Sequence, residues 1–139
     1  MFSIEEKIPN LIEYFERDKN ILAVYLIGSY GTEYQREESD IDFAVLFEKD
    51  IDFFEETKIV AKISEILSFD EVDLVNLIKA PTALQIIAVN EGRELFVRDY
   101  NKLSDFVEYV YRKYRDEKYF IDSFNKDYFY SFKNRGVSS

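Results

Sequence analysis

Two features of the chain bear residues able to do chemistry: Gly28-Ser29 and, after ten intervening residues, Asp40-Ile41-Asp42. A glycine followed by a serine lets backbone amides approach a phosphate closely and adds a hydroxyl beside them. The aspartates are spaced by two, so in an extended segment their side chains share one face at ~6.5–7 Å along the strand. Their carboxylates can then lean together onto divalent cations ~3.5–4 Å apart. Ala44 and Leu46 continue that face, and carboxylates on an apolar face are costly unless a cation or donor compensates them. A phosphate grip beside a metal-holding acid pair predicts nucleotidyl transfer.

Two-metal chemistry asks for a third carboxylate, because one ion activates the attacking group while the other holds the triphosphate. Asp73 fits that role. It lies in Glu71-Val72-Asp73-Leu74-Val75-Asn76-Leu77, where alternation puts Asp73, Val75 and Leu77 on one face and repeats the acid-then-apolar pattern. Asp70 and Glu71 are rivals, and a solvated acid at a strand entrance is the plain alternative. The chain has 28 acidic residues, so chance pairs arise, and Asp50-Ile51-Asp52 is one. Apolar residues recur after it at Ile59, Val60, Ile63, Ile66 and Leu67, which is helical spacing. Asp50 or Asp52 is therefore expected to cap a helix.

The elements that must position these groups follow from periodicity. Ile8, Leu11, Ile12 and Phe15 mark an amphipathic helix within Ile4 to Glu16. Ile21 to Ile27 and Asp40 to Phe47 read as buried strands, with a short helix and an acid-rich loop, Glu33 to Ser39, between them. Pro81 suits a helix start and Gly92 a helix end. The order is helix, strand, strand, helix, strand, helix, strand and a long helical tail, which predicts an α/β mixed sheet with helices packed against it.

Composition narrows the chemistry further. Among 139 residues there is no His and no Cys, which excludes zinc sites of the His/Cys type, thiol nucleophiles, Ser-His-Asp triads and disulfides. A net charge of −10 disfavours long DNA or RNA, which must be met with Lys and Arg. A triphosphate still fits, since a bound magnesium ion supplies local positive charge. Apolar runs fall short of a membrane span and the opening MFSIEEKIPN is no signal peptide, so a cytoplasmic location is expected. A core-bearing single domain is expected, with residues 1–100 as its body and 101–139 as a helical tail. The tail, counted from residue 100, holds 12 of the 24 aromatics. Leu103, Phe106, Val107, Val110 and Tyr114 form one stripe predicted to pack on the core. Ile121, Phe124, Tyr128 and Phe132 extend a similar phase, and the surplus rings suit an interface.

Gly28-Ser29, ten residues, Asp40-x-Asp42 and a downstream Asp73 resemble the DNA polymerase beta-like nucleotidyltransferase superfamily, and the small size its minimal nucleotidyltransferase (MNT) branch. The likeness covers roughly residues 4 to 115, including Leu77-Ile78-Lys79-Ala80-Pro81, Glu91-Gly92-Arg93 and Leu95-Phe96-Val97-Arg98-Asp99. Family members commonly continue Gly-Ser with a Tyr-Ala-Arg-Gly type segment, whereas Tyr30 is followed here by Gly31-Thr32-Glu33. The resemblance implies that Gly28 and Ser29 contact the nucleotide phosphates, and that Asp40 and Asp42 ligate two Mg2+ ions. It further implies that Asp73 completes the catalytic metal site and helps deprotonate the acceptor. It is similar to MntA-type antitoxins of HEPN/MNT toxin–antitoxin systems. These imply transfer of AMP from ATP to a hydroxyl, most simply a tyrosine, of a HEPN ribonuclease toxin in a hetero-oligomer. Two alternatives stand beside it: an antitoxin that acts by binding alone, and an aminoglycoside-type nucleotidyltransferase acting on a small molecule. The chain is not itself a HEPN toxin, whose active site needs a His.

Overall fold

A computed structural model describes residues 4–27 and 40–135, with side chains through residue 118. After a 3-10 turn at Glu5–Lys7, the elements are α1 (Ile8–Arg17), β1 (Ile21–Ile27), β2 (Ile41–Phe47), α2 (Phe53–Leu67), β3 (Val72–Asn76), α3 (Thr82–Glu91), β4 (Arg93–Val97) and α4 (Tyr100–Arg135). The order matches the expectation from periodicity. The short helix and acid-rich loop expected between β1 and β2 lie outside the described residues.

Among the described residues four strands form one mixed sheet in the order β3-β2-β1-β4. β1 is antiparallel to both β2 and β4, whereas β3 runs parallel to β2. The parallel pair follows from α2, because returning a strand in the same direction needs a crossover element, usually a helix. Asp52 starts that helix by accepting the Glu55 N–H at 2.8 Å, while Asp50 accepts the Ile51 N–H at 2.8 Å. The second D-x-D pair is thus a capping turn, as its context predicts.

Both sheet faces are covered, which explains why β1 is buried along its whole length. On one face Leu11 and Phe15 of α1 and Ile59, Ile63 and Leu67 of α2 pack on Val24, Leu26, Phe43 and Val45. On the other face Ala88 of α3 and Leu103 of α4 pack with Ala23, Tyr25, Ile27, Ala44, Leu46 and Leu77. Leu103 and Val110 are buried and Phe106, Val107 and Tyr114 half-buried, so the first stripe of the tail is core packing. The second stripe lies beyond the described side chains. Tyr109 and Tyr111, off the stripes, are exposed. α3 and α4 are joined by polar contacts as well: Gln85, itself buried, donates to the Leu77 carbonyl at 2.8 Å and accepts from Lys113 Nζ at 3.1 Å.

Candidate active site

The sheet register decides which acids meet. Asp42, the second residue of β2, stands opposite Asp73, the second residue of β3. The pairing is locked by Ile41 N–H donating to the Glu71 carbonyl at 2.8 Å, and at the far end by Leu77 N–H donating to the Val45 carbonyl at 3.0 Å. Adjacent strands lie ~4.8 Å apart, so two carboxylates in register on neighbouring strands can share a cation. Alternation places Asp42 on the side of Ala44 and Leu46, and Asp73 on the side of Val75, all on the α3/α4 face. Asp42 is half-buried and Asp73 exposed.

The remaining expected site residues fall differently. Asp40 is exposed one residue before β2, not within it as expected from the Asp40 to Phe47 run. Among the described residues no group of three acids is drawn together closely enough to hold a metal ion, so the observed convergence is that of Asp42 with Asp73. Gly28 and Ser29 lie outside the described residues. Ile27, which precedes them in the chain, is the register partner of Asp42 on β1. The rivals Asp70 and Glu71 stand before β3, where their carbonyls accept the Val72 and Ile41 N–H groups. The donor set around the pair is oxygen only, which fits a hard divalent cation such as magnesium and no soft metal.

Sequence reasoning did not anticipate what supports this corner. Gly92, read only as a helix end, is a point of close approach. A Cβ there would stand 3.0 Å from Ile27 Cγ2 and 3.1 Å from Tyr25 Cβ, and well inside contact distance of the Ala88 carbonyl oxygen. The end of α3 therefore presses directly on the last residues of β1, beside Asp42. Tyr25 faces the same side, and burial raises its phenol to a pKa of about 12, with Glu94, Tyr100 and Tyr111 adding to the effect. It is a neutral hydroxyl at any physiological pH. At the start of β4, Arg93 makes a two-pronged ion pair with Glu5 at 2.6 and 3.1 Å, tying the first turn of the chain to the edge strand.

Residues 9–101 match the family model described as Polymerase beta, Nucleotidyltransferase. The chain belongs to this family. Within it, the chain is similar to the protein adenylyltransferase MntA of Shewanella oneidensis, at 35% identity over 92 residues, 66% of this chain and 64% of that protein. The match thus spans less than two thirds of the relative's length. Among solved structures, a toxin–antitoxin with AMP-PNP superposes with a TM-score of 0.63 at 28% identity, covering 82% of this chain and 95% of that one. A tri-AMPylated Shewanella oneidensis HEPN toxin in complex with MNT antitoxin matches with a TM-score of 0.62 at 25% identity, covering 87% and 98%. As a polymerase beta family member, the chain carries its acid pair where a sheet edge meets the end of β1. Among the described residues no helix is long and apolar enough to cross a membrane.

Proposed function

We propose that this chain is an antitoxin that transfers AMP from ATP to a hydroxyl of a HEPN ribonuclease toxin and thereby neutralises it. The observation that carries the reading is the register of Asp42 on Asp73 beside the end of β1, in a family member similar to a protein adenylyltransferase. The relatives solved with AMP-PNP and with an AMPylated HEPN toxin support the choice of nucleotide and partner. In this reading residues 1–100 form the catalytic body and 101–139 the tail that packs on it and reaches toward the partner, inside the cytoplasm.

The roles are those that the family resemblance implies. The backbone amides of Gly28 and Ser29 and the Ser29 hydroxyl would bind the triphosphate, and Asp40, Asp42 and Asp73 would hold two Mg2+ ions. Bound magnesium supplies electrostatic stabilisation of charge on the α-phosphate and on the leaving oxygen. Asp73 orients the acceptor hydroxyl and takes its proton. The acceptor oxygen forms the new bond to the α-phosphorus while the bond to the β-phosphate oxygen breaks, and pyrophosphate leaves. With no His or Cys in the chain, a carboxylate is the natural proton acceptor at neutral pH.

The test incubates wild type and Asp42→Asn with magnesium, ATP labelled on the α-phosphate, and the HEPN toxin of the native host. Label should enter the toxin with wild type and fall by at least about a hundredfold in the variant, since loss of even a group that only supports a metal ligand costs about 10–100-fold. Unmodified toxin that is nevertheless inhibited would replace catalysis with the binding-only reading. Transfer by Asp42→Asn at the wild-type rate would remove the metal assignment.

A further inference from the structure

The end of the sheet away from Asp42 presents an unusual surface. Phe53 and Phe54 open α2 and are 75% and 65% exposed. Two adjacent large rings left in water are unlike the single apolar residues scattered over most surfaces. They stand between the exposed acids Asp52 and Glu55, and Lys58 Nζ sits 4.6 Å from the Phe54 ring centre.

The turn that carries them is held firmly. Asn76, buried at the end of β3, donates through Nδ2 to Asp50 Oδ1 at 3.0 Å and to Glu56 Oε2 at 3.2 Å. Lys79 Nζ donates to the Ile51 carbonyl at 2.7 Å and pairs with Glu56 at 3.3 Å. The Asp52 cap fixes the first turn of the helix. Exposed rings on a backbone pinned at several points lose little entropy on binding, the property that distinguishes an anchor from a loose surface contact.

We propose that the Phe53–Phe54 turn docks the partner through that partner's basic, RNA-binding face; this rests on the reading above. A ribonuclease must hold phosphates with Lys and Arg and stack bases on flat surfaces. The turn offers carboxylates beside two rings, the same pairing of charge and flat apolar surface that single-stranded RNA presents. The net charge of −10 draws a basic partner and repels a second copy of this chain. β2 separates the turn from the catalytic pair by ~20 Å at strand rise. Docking there leaves Asp42 and Asp73 uncovered.

The test compares wild type, Phe53→Ser/Phe54→Ser and Glu55→Lys as full chains against the purified HEPN toxin of the native host. Affinity is read at low and high salt, with and without a single-stranded RNA oligomer, alongside kcat and KM for AMP transfer. The double variant should bind at least about tenfold more weakly, raising KM for toxin with kcat unchanged. Glu55→Lys should weaken binding and flatten its salt dependence, and RNA should compete with wild type. Unchanged affinity in a natively folded double variant, or simultaneous binding of RNA and this chain to the toxin, overturns the proposal. So does a defect confined to self-association, which would assign the turn to a second copy. Weaker binding by the variant without AMP transfer from wild type would uphold docking while removing adenylyl transfer.

Discussion

Replacing Gly92 with alanine probes the contact between α3 and the end of β1. The backbone there, φ −73° and ψ 149°, is open to any residue, so alanine incurs no conformational strain and gains about 0.4–1 kcal/mol by restricting the unfolded chain. Opposing this, the new methyl meets Ile27 Cγ2 at 3.0 Å and Tyr25 Cβ at 3.1 Å, and overlaps the Ala88 carbonyl oxygen. A flexible side chain could yield, but the carbonyl is backbone and must retreat on the order of 1 Å to an ordinary C···O approach. Overpacking of this kind costs about 1–3 kcal/mol, and stretching the 2.9 Å bond from Gly92 N–H to the Ala88 carbonyl adds about 1 kcal/mol. The net expectation is a loss of about 1–3.5 kcal/mol, read as a lower urea midpoint at constant m. Because Ile27 is the register partner of Asp42, ATP affinity should fall as well. A variant as stable as wild type, or more so, would refute the close approach and leave the entropy gain as the whole effect.

Arg98→Ala should cost about 2 kcal/mol in a denaturant titration, because Nη2 serves the Phe15, Glu16 and Asp18 carbonyls and Nε that of Ile21. Arg98→Lys should not restore it, since a single ammonium cannot span those acceptors. Alkaline stability has a sign fixed by Tyr25. Its folded pKa is about 12 against the ordinary 10.0, so its contribution is complete below pH 10 and lost as pH rises through 12. Tyr25→Phe should flatten that part of a pH–stability curve, and an unchanged curve would show that the phenol is not desolvated. Magnesium with ATP should raise the melting temperature of wild type, and EDTA should reverse the gain. Asp73→Asn should abolish the shift, whereas a retained shift would place the cation elsewhere.

Local order was legible in the sequence, and long-range pairing was not. Apolar spacing located α1, β1, β2, α2, β3 and the first stripe of α4, Pro81 and Gly92 bounded α3, and the helical run after Asp52 separated a capping turn from a metal pair of the same spelling. Boundaries moved by a residue where the flanking residue contributes a hydrogen bond without joining the strand, as Glu71 and Leu77 do for β3. The acid-then-apolar pattern shared by the two strands put Asp42 and Asp73 at corresponding ends, while the parallel register that pairs them residue for residue is encoded by no local pattern, although helical spacing between two strands hints at the crossover. Hidden altogether were side chains that act across the chain: Arg98 closing the end of α1, Asn76 and Lys79 pinning the turn before α2, and Gly92 admitting α3 onto β1. Each was ordinary in its own neighbourhood and acquired its role only from a distant segment.

The parallel pairing of β2 with β3 has a bearing on timing. Asp42 and Asp73 belong to strands separated by the whole of α2, so neither strand alone, nor any hairpin of the chain, contains the site. A growing or partly unfolded polypeptide in which α2 has not packed keeps Asp42 apart from Asp73. Adenylyl transfer as proposed above is therefore a report on that pairing: the two acids meet only once β3 has crossed back beside β2. On the proposed reading, activity is lost with the β2–β3 pairing itself, whatever else of the fold survives.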